Sequence, residues 1–490
     1  MLLGSWISWS YGGPGRTGAW PCGGLVVRAA RLGRGSIPTP GTLGIHTGEK
    51  VKWKARGSPW SRKAPERLRW GVERHPDSAV RIPLRSAAGA LTVPASAAPV
   101  FAPGRAAAEE VPGPVPESVN IPGIVKPLPA QWFVQRDTNA EMRWESLRDA
   151  DGEAVVGRHV PVERFFVRNH TSTPLIDPVG WRLKLFGSAL RGAPSPERAV
   201  EFALDDLRAL PATAIHALIE CAGNGRSYFH RQQGRLTPGT PWTLGSIGSA
   251  SWRGVRLAEV LRAAGLTDAA VDVLPTGLDP DYVVDGTDYG PVRRPLPIAK
   301  ALDDTLLAYE MNDEPLTPDH GAPVRLVVPG WVGIASIKWV GSIEVADHPL
   351  HSPWNTVFYR MYGPGHPPGG GPALTTQVVK SAFELAEGAR LEAGREHRLH
   401  GRSWSGAAPV RQVEVSTDGG LSWRTAELAE EPCAGDWTRW STVWRPERPG
   451  RYELRARATD RQGATQPERE AFNREGYLFG AVVAHPVTVV

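Results

Sequence analysis

The stretch AIHALIECAGNGRSYF, residues 214–229, decides how the chain is to be read. Ala214 to Ile219 is a short apolar run of the kind that forms a buried strand. It delivers Cys221 to a turn containing Gly223, Asn224 and Gly225, with Arg226 at its far end. The two glycines permit backbone conformations that a side chain would forbid, so the turn can pass close to a bulky group. A guanidinium near a thiol favours the thiolate, the form that binds a soft metal. By itself, a lone cysteine on such a strand is a small buried apolar residue; its surroundings decide between the two.

The 490 residues suffice for two or three domains with real cores. Residues 1–120 carry 16 Lys/Arg against 7 Asp/Glu, and the rest 40 against 44, so the formal charge of +5 belongs to the N-terminal segment. The remainder gives no reason to expect a nucleic acid partner. Cys22, Cys221 and Cys433 lie far apart without a CxxC pair, which argues against a disulfide scaffold, a zinc ribbon or a c-type haem attachment. No apolar run is long enough to span a bilayer. No export signal is visible, which favours the cytoplasm; a misassigned start would open the periplasm or secretion.

Residues 1–120 mix Gly, Pro, Arg, Ala and Trp without sustained periodicity, and 87–116 is an Ala/Pro/Val tract. This segment is expected to be disordered, or a translated region upstream of the true start, which its composition favours over a partner-binding arm. Organised sequence begins near Ile121. Residues 139–145 read as a short helix capped by Asn139, 181–186 as a strand, and 204–210 as a helix capped by Asp205 and stopped by Pro211. Residues 255–264 read as an amphipathic helix closed by Gly265, and 324–329 and 336–345 as strands. GPGHPPGGGP, residues 363–372, is a hinge that divides an α+β domain (121–362, linker 363–373) from an all-strand one (374–490). There, strands at 397–404, 410–416, 421–426, 437–444 and 451–459, with a TDGG hairpin at 417–420, predict an immunoglobulin-like sandwich.

Two motifs carry a resemblance. ECAGNGR (220–226) is similar to the molybdenum-ligating loop of the sulfite oxidase family, and FVRNH (166–170) to that family's pterin-contacting segment. The resemblance covers about residues 121–490. It implies an α+β sulfite-oxidase-type molybdopterin-binding domain followed by an immunoglobulin-like dimerisation domain. Cys221 then becomes the metal ligand, and Phe166, Val167, Arg168, Asn169 and His170 contact the pterin. Asp279, His320, Arg325, Ser336, Ile337 and Lys338 complete the cofactor-binding set, with Asp281 an alternative to Asp279. Arg168, Arg226 and Arg474 become substrate-pocket arginines, although Glu475 beside Arg474 could neutralise it. Permanently charged, fork-shaped donors suit a doubly charged oxyanion. Trp242 corresponds to a pocket-wall tryptophan, and Tyr359 to an active-site tyrosine for which Tyr362 competes; nearby arginines would favour its phenolate.

The implied activity is molybdenum-cofactor oxygen-atom transfer, sulfite to sulfate, in a homodimer. No haem module is evident in this chain, so electrons pass to a separate acceptor such as a c-type cytochrome. Nitrate or sulfoxide reduction is the alternative within the family, and a non-catalytic binding module the alternative outside it.

Overall fold

The computed structural model describes residues 123–149 and 154–490; the expectation for residues 1–120 lies outside them. The cysteine-bearing strand, Ala212–Glu220, pairs antiparallel with Ile247–Arg256 in unbroken register from Ala212↔Val255 to Glu220↔Ile247. Leu306–Met311 continues the sheet on the far side and pairs in turn with Glu314–Pro315 and Arg325–Val327. The apolar run earns its strand by burial: Ala217, Leu218, Trp252, Leu306 and Ala308 form one core with Phe165 and Phe229.

A second sheet has the order Leu296–Pro297, Asp272–Gly277, Val340–Ala346, Leu183–Phe186, Val200–Phe202. It is mixed, because Val340–Ala346 runs parallel to Leu183–Phe186 and antiparallel to Asp272–Gly277. Leu185 and Ile343 of this sheet share a core with Val260 and Leu261 of the Leu257–Ala263 helix and with Leu326.

The C-terminal part consists of strands in two sheets. One has the order Lys380–Phe383, His397–Trp404, Thr438–Trp444, Glu427–Leu428. The other has the order Arg390–Leu391, His485–Val489, Gly450–Asp460, Val410–Ser416, Arg424–Thr425. Phe383, Leu399, Val413, Trp440 and Leu454 close a core of their own. Ala382, Trp404, Trp437 and Phe479 instead join the core beneath the cysteine strand, where Trp404 stacks on Trp144 at 5.9 Å.

Several local expectations change. Residues 139–145 are not a helix: Asn139–Met142 is a strand paired with Phe133–Arg136, followed by a 3-10 turn at Trp144–Leu147. Tertiary pairing overrides propensity here, since Ala140 also bridges Val167 and the Asn139 side chain accepts from Asn169 N at 2.9 Å. The Leu204–Ala209 helix stands, but Asp206 rather than Asp205 reaches back to its start, accepting from Ala203 N at 2.8 Å. Val255 and Arg256 belong to the preceding strand, so that helix begins at Leu257. Residues 336–339 are not strand either. Trp339 adopts a left-handed backbone (φ 52°), which interrupts any extended run, and the strand starts at Val340.

Candidate active site

At the end of its strand Cys221 donates its N–H to Ser246 O (2.9 Å), and its carbonyl accepts from Asn224 N (2.9 Å). Gly225 turns the chain at φ 92°, with a would-be Cβ only 3.2 Å from Phe479, so a side chain here would meet both backbone strain and a neighbour. A Cβ on Gly223 would lie 2.9 Å from Arg226 Nη2 and 3.2 Å from Trp242 Cδ1. The loop's glycines are therefore what let Arg226, Trp242 and Phe479 pack against it.

A buried network supports the loop from behind. Lys380 Nζ donates to Glu220 Oε1 and to Asn224 O, both at 2.8 Å. Asn224 Nδ2 donates to the same carboxylate oxygen at 2.9 Å, and Asn224 Oδ1 accepts from Ser246 N and Oγ. Lys380 comes from the C-terminal strands, so this ion pair joins the two halves of the chain beside Cys221.

In front of the loop lies a cleft of about 730 Å³, counting its solvent-open mouth. It brings together Cys221, Phe166, Arg168, Asn169, His170, Asp279, His320, Arg325, Ser336, Ile337, Lys338 and Tyr359, all named from sequence. Asp279 is buried and lines it, whereas Asp281 is exposed and does not. Four expected residues lie elsewhere. Val167 is spent on backbone pairing with Ala140 and on a small core with Phe133. Trp242 is buried against the cysteine loop. Arg226 donates to Glu475 O (3.0 Å) and Thr240 O (3.1 Å) and lies over the Tyr477 ring, which itself stacks on Tyr359 at 5.3 Å. It thus sits one layer behind the cleft wall. Arg474 is 66% exposed, pairs with Glu475 at 3.5 Å and lies over Tyr362.

Within the cleft, polar atoms divide into those already satisfied and those left open. Arg325 gives its guanidinium to the carbonyls of His320 (3.0 Å), Ser336 (3.1 Å) and Leu326 (3.3 Å); burial brings its pKa down to about 9. Lys338 donates to Asn169 Oδ1 and to Asp319 O (2.9 Å), and burial, with Arg325 close by, lowers its pKa well below the usual lysine range. Ser336 Oγ accepts from Val328 N at 3.1 Å. Arg168 Nη1 and Asp279 Oδ1, by contrast, are buried with no hydrogen-bond partner. Burial works against the Arg168 charge, yet Tyr359, Cys221, Tyr477 and Tyr282 around it hold its pKa above the ordinary value. Burial pushes Asp279 up to about 6, against its bond from Val292 N.

His170 Nε2 meets Trp354 Nε1 at 3.4 Å and the Tyr359 hydroxyl at 3.2 Å. Indole nitrogen only donates, so Nε2 is the acceptor, the ring proton is on Nδ1, and the Tyr359 O–H donates. Burial, then Arg168 and Lys338, keep this histidine neutral by lowering its pKa well below the usual value. The phenolate expected for Tyr359 is corrected. Burial raises its pKa and outweighs Arg168, Arg226 and Arg294, so the group stays a phenol. Tyr359 also has a left-handed backbone (φ 57°), a strained conformation for a bulky residue.

Sequence reading gave no role to several neighbours. Asp319, next to His320, accepts from Val125 N, Lys126 N and Thr173 Oγ1. Tyr282 packs edge-on against His170 at 5.2 Å. Arg294 is buried beneath Tyr359, donating to the carbonyls of Trp354 and Leu374. Nothing local marks Tyr477 or Arg294; only their place in the fold does.

The residues fit a large, polar, anionic cofactor bearing a metal. A free thiol, an unpartnered guanidinium nitrogen and an unpartnered carboxyl oxygen face one space. Among the described residues no three His, Cys, Asp or Glu side chains converge as a metal site.

The family model described as "oxidoreductase molybdopterin binding domain" matches residues 170–354, and that described as "Mo-co oxidoreductase dimerisation domain" matches 376–483. The mitochondrial sulfite oxidase of Mus musculus is 36% identical over 71% of this chain and 63% of its own length. The sulfite oxidase of Gallus gallus is 34% identical over 65% of this chain and 70% of its own. Among solved structures, the sulfane dehydrogenase SoxCD from Paracoccus pantotrophus aligns over 71% of this chain and 83% of its own, with a TM-score of 0.57 and 25% identity. The chain spans between 59% and 70% of the length of the animal relatives it matches. With these likenesses over both halves of the fold and the site gathered as described, the chain belongs to the sulfite oxidase family.

Proposed function

We propose that the protein is a molybdenum-cofactor oxidoreductase that oxidises sulfite to sulfate and passes the electrons to a separate acceptor such as a c-type cytochrome. The observation that carries this reading is the free Cys221 thiol in a cleft with Arg168, whose buried Nη1 has no partner. When bound, the molybdopterin cofactor supplies the oxygen-atom transfer and two-electron chemistry.

Cys221 is the metal ligand, held by Ser246 and Asn224 at the end of a rigid strand. Phe166, Asn169, His170, Asp279, His320, Arg325, Ser336, Ile337 and Lys338 hold the pterin, and Asp279 Oδ1 is open to accept from it. Arg168 binds the oxyanion through its unused N–H groups, a fixed charge that needs no reorganisation during reaction. Arg226, engaged with two carbonyls, adds positive potential from behind Tyr477 rather than a direct contact. Tyr359, as a phenol bonded to His170, contributes a neutral donor. Arg474 attracts anions at the surface, weakened by Glu475. Trp242 holds the cysteine loop in place.

The division of the chain at residues 363–373, the immunoglobulin-like character of the two C-terminal sheets and a twofold homodimer complete the reading. The matched dimerisation domain supports the homodimer. The test is sulfite-dependent reduction of ferricyanide beside cytochrome c, with nitrate and methionine sulfoxide assayed in parallel and molybdenum quantified. Cys221→Ser is expected to abolish turnover while leaving the pterin largely bound; a variant that oxidises sulfite normally would sink the assignment.

A further inference from the structure

Lys126 lies next to the cleft but takes no part in the function just proposed. It sits on the segment that enters the Phe133–Arg136 strand, where Val125 N and Lys126 N both donate to the Asp319 carboxylate, at 3.0 and 2.7 Å. Thr173 Oγ1 donates to the same carboxylate at 2.6 Å. This clamp directs the lysine stem over the Phe133 ring, with Nζ 4.8 Å from its centroid. The ammonium then meets three acceptors: Val162 O at 3.1 Å, Phe165 O, and His320 Nε2 at 3.4 Å. An ammonium has three N–H donors and no acceptor, so these partners account for all of them.

His320 lines the cleft and is neutral. Its burial, with Lys126, Lys338 and Arg325 nearby, puts its pKa well below the usual histidine value. A neutral imidazole whose Nε2 accepts must carry its hydrogen on Nδ1. We propose that Lys126 is a positioning residue: it fixes His320 in the Nδ1–H form and so makes it a hydrogen-bond donor toward the pterin in the cleft. The inference rests on the molybdopterin reading above and adds the residue that sets the polarity of one cofactor contact.

Without the ammonium, His320 Nε2 takes the proton and donates to Val162 O at 3.3 Å, and Nδ1 becomes an acceptor. Val162 O is the pivot of both arrangements. The groups facing Lys126 are Asp319 and Glu163, which support its charge, and the neutral His320; Lys338 and Arg325 face His320. Burial brings the lysine down to about 7 despite the two carboxylates. The donor form of His320 therefore prevails below neutral pH and is lost as pH rises through that value.

The test follows pterin release from the purified holoenzyme, read as the fluorescent oxidation product of the released pterin, at pH 6 and pH 8.5. At pH 6, Lys126→Met should lose pterin about tenfold faster than wild type, the scale on which removing a partner that orients a ligand-holding histidine is felt. The gap should close at pH 8.5, and Lys126→Arg should restore retention at both. Because the lysine acts through the histidine, Lys126→Met combined with His320→Ala should release pterin no faster than His320→Ala alone. Wild-type retention at pH 6 in Lys126→Met, or additive losses in the double variant, would overturn the inference. If Lys126→Met does not fold, wild type decides alone: equal retention at pH 6 and 8.5 refutes the role. A wild-type protein with no releasable pterin refutes the molybdopterin reading and this inference together, whereas pterin held normally by Lys126→Met refutes the inference only.

Discussion

Behind the Cys221 loop, Glu220, Asn224, Ser246 and Lys380 satisfy one another; in front of it, Arg168 Nη1 and Asp279 Oδ1 are buried without partners. Both sides hold buried polar atoms, so burial of those atoms does not distinguish them. Pairing does. A closed network is what a fold needs to hold a loop still, since a polar group buried unpaired costs about 1–3 kcal/mol, and more if charged. Open polar atoms that face a cleft are available to whatever enters it. The two sides thus divide the labour between holding the cysteine and receiving a ligand.

The largest expected effect falls on the closed side. Lys380→Met leaves the Glu220 carboxylate buried without its cation, which should cost about 3–5 kcal/mol of stability, read from denaturant midpoints of the purified protein. If the loss is under about 1 kcal/mol, the back of the loop is not the support it is described as. The open side should respond with the opposite logic. Asp279 has a folded pKa of about 6 against an ordinary 3.8, so its protonated form is favoured by the fold. The stability it contributes is full below 3.8 and is lost as pH rises through 6. Cofactor-free protein should therefore lose roughly 3 kcal/mol from this group between those limits, and Asp279→Asn should remove that slope. Parallel slopes for wild type and variant would mean that Asp279 is paired after all. The smallest effect on the fold belongs to Arg168. Arg168→Met should leave the unfolding temperature of cofactor-free protein unchanged or raised, because the guanidinium lacks a full set of partners. It should also raise KM for sulfite by about 10- to 100-fold through loss of a charge-assisted contact. A fall in stability with KM unchanged would place Arg168 on the structural side of the comparison.

The same division explains how far the sequence could be read. The cysteine strand and the turn after it are local patterns, and each is found where expected. Asp279 and Asp281 are two positions apart in an irregular segment, so only burial could choose between them. Residues 139–145 carry helix-compatible side chains, but Phe133–Arg136 and Val167 supply strand partners that no local rule anticipates. Arg226 and Arg474 carry the right charge at the right spacing, yet the first is spent on the carbonyls of Glu475 and Thr240 and the second is exposed. The protonation of Tyr359 departs from expectation for a related reason. Nearby arginines were countable from sequence, but the desolvation that outweighs them was not.

The tie between Lys380 and Glu220 has a temporal meaning as well. A polypeptide leaves the ribosome amino end first, so residue 221 emerges well before residue 380, and earlier still than Leu478, whose N–H closes on Ala222 O at 2.8 Å. Until those later segments arrive, the thiol sits on a loop whose neighbouring carboxylate has no counterion. The loop as described is therefore complete only once residues 380 and 478 have both been made and folded into place.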